Sequence, residues 1–142
     1  MKTRQKTRKI ILHYTATPPG RDVDADTIRG WHLDKGWSDI GYHFVVKLDG
    51  TIEQGRALHL MGAHTKGQNH DSVGIAYVGG LDEDGHDTMT LEQDISVRRL
   101  IMALRTLYGY DLTLHGHNEF KGTLCPGFEV NTRYGKKEGT VL

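Results

Sequence analysis

The 142-residue chain has one cysteine, three prolines, no net charge and no long apolar run. Each scarcity excludes something. A lone cysteine, Cys125, rules out an internal disulfide and suits a reducing compartment. Eighteen basic residues balance eighteen acidic ones and the pI is near 7.1, so charge gives no support for binding nucleic acid or another polyanion. No stretch approaches the ~18 apolar residues of a membrane span. The opening residues, Met1 to Lys9, are basic, but only Ile10-Ile11-Leu12 follows as an apolar run. That is too short for the core of a secretion signal, so synthesis in the cytoplasm without one is expected. No repeat, linker or second domain is visible. One domain over 1–142 is expected, with a flexible basic arm at 1–8 and a core over 9–130.

Nine histidines and eighteen glycines stand out. The glycines suggest many tight loops and the histidines a supply of candidate chemistry. Lys9 to Tyr14 reads as a central strand that Pro18-Pro19-Gly20 closes. Asp24 to Lys35 reads as a helix capped by Asp22 or Asp24 and stopped by Gly36; His32 there is expected to pack rather than bind an ion. Tyr42 to Leu48 alternates, with Tyr42, Phe44, Val46 and Leu48 on one side, and Asp49-Gly50 signals a hairpin returning through Thr51-Ile52-Glu53. Ser72 to Val78 is another strand. Thr90-x-x-Gln93 is a capping box opening the longest helix, whose core stripe is Val97, Leu100, Ile101, Leu104, Leu107 and Tyr108. A short strand, Leu112-Thr-Leu114, delivers His115 and His117, and Pro126 is expected at the start of a closing helical turn. Strands interleaved with helices predict an α/β domain, and the hairpin predicts a mixed central β-sheet flanked by helices.

The chemistry concentrates in His115 to Gly127. Thiolate and neutral imidazole are good ligands for a borderline-soft ion such as zinc, and Cys125 follows two histidines at loop distance. A catalytic zinc takes three protein ligands and keeps one position open, so one ligand must come from elsewhere; His13, ending the first strand, is the candidate. Period-2 alternation puts His115 and His117 on the same side, so spacing does not choose between them. Tyr42, read from its strand alone, is a packing residue.

Several separated motifs in order resemble one family: His13-Tyr-Thr-Ala-Thr17; Trp31-His32; Gly36-Trp37-Ser38-Asp39-Ile40-Gly41-Tyr42-His43-Phe44; Asp49-Gly50-Thr51-Ile52 with Gly55-Arg56; Gly62-Ala63-His64 with Asn69; Ser72-Val73-Gly74-Ile75; and His117-Asn118-Glu119 with Cys125-Pro126-Gly127. From about Lys9 to Phe128 the chain is similar to the zinc-dependent N-acetylmuramoyl-L-alanine amidases that share a fold with peptidoglycan recognition proteins, and especially to the amidase-type lysozymes of tailed phages. The resemblance implies one catalytic Zn2+ held by His13, His117 and Cys125, with Tyr42 as the catalytic tyrosine. His64, Asn69 and Trp37 would line the substrate groove, and Glu119 and His115 would support the ligands from behind. The phage lysozymes carry lysine two residues before the cysteine where this chain has Thr123. Other branches have threonine there, so Thr123 is expected to supply a second oxyanion donor; Lys121, two positions away, is not given that role.

The function implied is hydrolysis of the amide between N-acetylmuramic acid and the L-alanine of the stem peptide, in the manner of a phage or prophage endolysin acting on the cell wall after release. The expected partner is peptidoglycan, met by a monomer. Some phage relatives also bind the phage RNA polymerase, a role that no residue here displays. The alternatives are a non-catalytic peptidoglycan recognition module and a hydrolase using Cys125 as nucleophile beside a helix N-terminus.

Overall fold

In the computed structural model, which describes residues 1–135, the strand Lys9–Tyr14 (β1) is flanked on both sides by parallel neighbours. After it come a helix, Ala25–Asp34 (α1), strands Phe44–Val46 (β2), Ile52–Gln54 (β3) and Ser72–Tyr77 (β4), a long helix Leu91–Tyr108 (α2), strand Thr113–Gly116 (β5) and a short helix Val130–Tyr134 (α3). The sheet order is β3-β2-β4-β1-β5, parallel throughout except for the β2–β3 hairpin. A mixed sheet with helices on both faces is the expected architecture. The single domain expected over 1–142 extends, at 136–142, beyond the described residues.

Alternation along β1 divides the core in two. Ile10 and Leu12 face α2, meeting Val97, Leu100, Ile101 and Leu104 together with Val46, Val73, Ile75 and Leu114. The opposite face receives α1, where Ala25 and Ile28 pack with Val23, Ile40, Val45 and Val78. Asp24 caps α1, its carboxylate accepting the Thr27 N–H at 2.8 Å. The predicted capping box opens α2. Its Gln93 is fully buried and also donates to Val46 O (3.2 Å) and Val78 O (2.8 Å), fastening the helix to two sheet segments. The hairpin tip is fastened too, because Ser96 Oγ donates to Gly50 O. Gly50 has φ +88°, and a Cβ there would stand 2.8 Å from Glu92 O.

Four expectations need correction. Leu107 is 62% exposed: of the last turn of α2, only Tyr108 reaches the core. Strand β2 begins at Phe44, and outside it alternation lapses, so Tyr42 and Leu48 turn to the α1 face while Phe44 and Val46 turn to α2. Pro126 sits in a turn closed by Gly127 N–H to Leu124 O, and the helix that follows starts only at Val130. The basic arm at 1–8 is held, not free. Thr3 forms an antiparallel bridge with Leu60, Arg4 N–H donates to His59 O, and Met61 N–H donates to Lys2 O. The Arg4 guanidinium is buried, donating to Leu60 O (3.0 Å), Tyr108 Oη (3.0 Å) and Thr7 Oγ1 (2.7 Å). A buried cation is costly to leave without acceptors, and these three supply them.

Candidate functional site

The parallel strands all end at the same edge, the usual place for a site in an α/β sheet. His13, next to last in β1, points away from Leu12 onto the α1 face. β5 ends at Gly116, and the chain turns at once through His117–Glu119 in a single 3-10 turn. The loop that follows closes on itself, Asn118 N–H donating to Cys125 O at 2.8 Å. That closure brings His117 and Cys125 together, and Tyr14 N–H donates to Cys125 Sγ at 3.2 Å, seating the thiol against β1.

His13, His117 and Cys125 offer ligand atoms that all lie within 4.8 Å of one another. Cys125 Sγ is 3.8 Å from His13 Nδ1. Tetrahedral zinc, with bonds of about 2.3 Å to sulfur and about 2.0 Å to nitrogen, asks for a sulfur–nitrogen separation of about 3.5 Å. The donor set therefore fits one such ion. Electrostatics agree: His13 is held well below its usual pKa, by burial first and then by His64 and His117, and His117 is lowered by burial and then by Lys121. Both imidazoles are neutral and ready to donate. Burial pushes the Cys125 thiol up to about 12, against the Tyr14 N–H, which favours the thiolate. A cation is what would make a thiolate stable there. The same facts disfavour a free cysteine nucleophile, since Cys125 is 4% exposed and α3 begins five residues beyond it.

The triangle borders an open cleft of about 820 Å3, lined among others by Trp37, Tyr42, His64, Asn69 and His117. Tyr42 brings its ring to 5.1 Å from that of His13, and burial raises its hydroxyl pKa, followed by an effect of Cys125. His32 forms part of the wall, its ring 4.4 Å from Trp37 and its Nδ1 accepting Gly41 N–H; burial, then Lys35 and Arg56, lowers it to about 4. Among the described residues, three lysines, Lys35, Lys66 and Lys121, line the cleft and no carboxylate does.

The remaining expectations divide. His64 lines the cleft but is buried, with Nδ1 3.0 Å from His13 Nε2, so it touches a candidate ligand as well as the groove. Asn69 Oδ1 accepts the N–H groups of His64 and Thr65, shaping that loop. His115 is engaged by Glu119 (3.0 Å) and Thr113 (2.7 Å) and stands outside the ligand triangle. Glu119 also accepts Gly116 N–H at 2.7 Å, so this pair braces the turn carrying His117. Thr123 Oγ1 accepts Cys125 N–H at 3.3 Å and does not line the cleft, whereas Lys121 does. Sequence reasoning missed Lys66, Phe120 and the lysine wall as a whole; only the folded loops bring those positions to one rim.

An α/β sheet that presents two imidazoles and a thiol beside an open, cation-rimmed cleft has the layout of a hydrolytic enzyme with a candidate metal centre. Residues 3–128 match the family model described as N-acetylmuramoyl-L-alanine amidase. The endolysin of Escherichia phage T7 is 40% identical over 139 residues, spanning 96% of this chain and 91% of that protein. Among solved structures, N-acetylmuramoyl-L-alanine amidase LysC from Clostridium intestinale URNW matches with a TM-score of 0.79 at 29% identity, over 93% of this chain and 87% of its own. The complex of tracheal cytotoxin with the ectodomains of peptidoglycan recognition proteins LCa and LCx matches with a TM-score of 0.82 at 25% identity, over 96% and 87%. This chain belongs to the N-acetylmuramoyl-L-alanine amidase family. It is an enzyme that hydrolyses the amide between N-acetylmuramic acid and the L-alanine of a stem peptide.

Proposed function

We propose that this amidase works with a single Zn2+ held by His13, His117 and Cys125, and that it acts as an endolysin on the peptidoglycan of the cell wall. The observation that carries the reading is the ligand triangle, with the 3.8 Å approach of Cys125 Sγ to His13 Nδ1 at the edge of the cleft. Zinc bound there supplies Lewis acidity to a carbonyl oxygen and acidifies water.

The chain's own groups do the rest. Tyr42, whose hydroxyl stays protonated at neutral pH, donates a hydrogen bond to the oxyanion that develops on the scissile carbonyl. Thr123 stands outside the cleft lining, and its Oγ1, accepting the Cys125 N–H, holds that backbone in place; the donor role expected of it is not assigned. Trp37 and His32 form an apolar wall for the sugar and peptide, and Lys35, Lys66 and Lys121 attract the free carboxylates of a stem peptide. His13 and His117, being neutral, keep their lone pairs for the ion.

The test is mass spectrometry of purified sacculi after incubation, with and without a chelator. Free stem peptides with a new L-alanine amino terminus, lost on chelation and restored by zinc, are the expected result. Release that survives complete metal removal would overturn the zinc reading.

A further inference from the structure

We infer that His64 and Ser72 are positioning residues that fix which nitrogen of His13 is free for the metal, through a chain of protons ordered from a backbone carbonyl. The inference rests on the proposed role of His13 as a ligand and assigns His64 more than a place in the groove wall.

The chain starts at Gln68 O, which can only accept. Ser72 Oγ lies 2.7 Å from it and donates its one proton there. Ser72 Oγ is therefore an acceptor towards His64 Nε2, 3.3 Å away, so that nitrogen carries the hydrogen. A neutral imidazole has one N–H, which leaves His64 Nδ1 as an acceptor. His64 is buried, and its ring nitrogens face His13 and the hydroxyls of Thr65 and Ser72 rather than a carboxylate, a setting for the neutral ring. Nδ1 lies 3.0 Å from His13 Nε2, so His13 donates and carries its hydrogen on Nε2. What remains on His13 is the Nδ1 lone pair, the atom 3.8 Å from Cys125 Sγ.

Thr65 is a side branch and does not alter the outcome. Its Oγ1 is 3.0 Å from His64 Nδ1 and 3.3 Å from His13 Nε2. If it donates to His64, it accepts from His13, and the His13 hydrogen is again on Nε2. The ring of His64 is also held against rotation by two close backbones. A Cβ at Gly74 would sit 2.5 Å from His64 Cγ, and one at Gly62 would sit 2.6 Å from His64 Cδ2. Those two glycines leave room for an imidazole in one plane, and the carbonyl of Gln68 sets its tautomer.

The experiment is a long-range proton–nitrogen correlation spectrum of the 15N-labelled, zinc-stripped protein, paired with zinc competition against a chromophoric chelator. His13 in the native protein is expected as a single tautomer with its hydrogen on Nε2. Ser72→Ala removes the hydroxyl acceptor and leaves the Ser72 backbone, which also bonds His64; it should give His13 a measurable Nδ1–H population and weaken zinc binding ~10-fold. Ser72→Thr, which keeps a hydroxyl, should restore both. A native His13 that is mixed or protonated on Nδ1 overturns the inference without any variant. So does Ser72→Ala with unchanged tautomer and zinc affinity. A native protein with the expected tautomer that binds no zinc would leave the ordered chain standing and sink the metal reading instead.

Discussion

His13 and Cys125, 112 positions apart in sequence, stand with Nδ1 and Sγ 3.8 Å from each other, the thiol held by the N–H of the very next residue in β1, Tyr14. One strand thus presents one proposed ligand and seats another. Cys125→Ser keeps the shape and removes the soft donor. Zinc content measured by atomic absorption should fall to background after dialysis, with hydrolysis reduced at least ~100-fold. A serine variant that keeps its zinc and its rate would show that the metal lies elsewhere.

Tyr42→Phe keeps the ring against His13 and deletes one hydroxyl. If Tyr42 donates to the oxyanion, kcat should drop ~10²–10³-fold while KM and the thermal midpoint stay close to native. A change confined to KM would make Tyr42 a groove residue only.

The lysine rim should act through charge. Lys35→Ala, Lys66→Ala and Lys121→Ala should each raise KM several-fold for stem peptides with free carboxylates. The dependence of kcat/KM on ionic strength should flatten in each variant, because screening has less attraction left to remove. Substrates with amidated carboxylates should not feel the substitutions. Equal effects on both substrates would assign the lysines to packing.

His43 is fully buried, its Nδ1 accepting Gly74 N–H, and burial brings it to about 4. Its folded pKa lies below the unfolded 6.5, so below pH 6.5 the unfolded chain binds a proton that the folded one refuses. Stability is complete above about pH 6.5 and is lost as the pH falls towards 4, at up to ~1.4 kcal/mol per pH unit. His32, closer to water in the cleft wall, adds a smaller share in the same window. Urea unfolding of the zinc-stripped protein at pH 7, 6 and 5 tests this, and a flat profile would refute it.

Gln93→Ala should cost more than Thr90→Ala, although both belong to one capping box. Loss of the threonine cap costs about 1 kcal/mol, and the half-buried Leu48 O that Thr90 Oγ1 donates to loses one donor. Loss of Gln93 also strips Val46 O and Val78 O of their buried donor, adding ~1–3 kcal/mol. Equal costs would mean that those carbonyls find water.

What the sequence displayed well is what local pattern controls. β1 runs from Lys9 to Tyr14 as its apolar, β-branched residues predict, and the Thr90–Gln93 box opens α2 where it should. The ordered motifs made the family legible. What it hid depends on distant partners. Arg4 looks like any tail cation until Leu60 and Tyr108, 56 and 104 positions away, surround it. Tyr42 follows a strand pattern on paper, yet lies outside the short strand and turns to the other face. His64 sits in a loop without periodicity, and its contact with His13 spans 51 positions.

The bridge between Thr3 and Leu60 has a practical side. Residues 59–61 run directly into Gly62 and His64, so residues 2–4 are fastened to the segment that ends on His13's neighbour. The amino terminus is thereby an anchor line for the segment that carries His64. Anything that drags residues 2–4 outward pulls on that line: a bulky fusion, surface immobilisation, or cleavage after Arg4. An engineer who needs a handle on this enzyme should keep it away from residues 2–4.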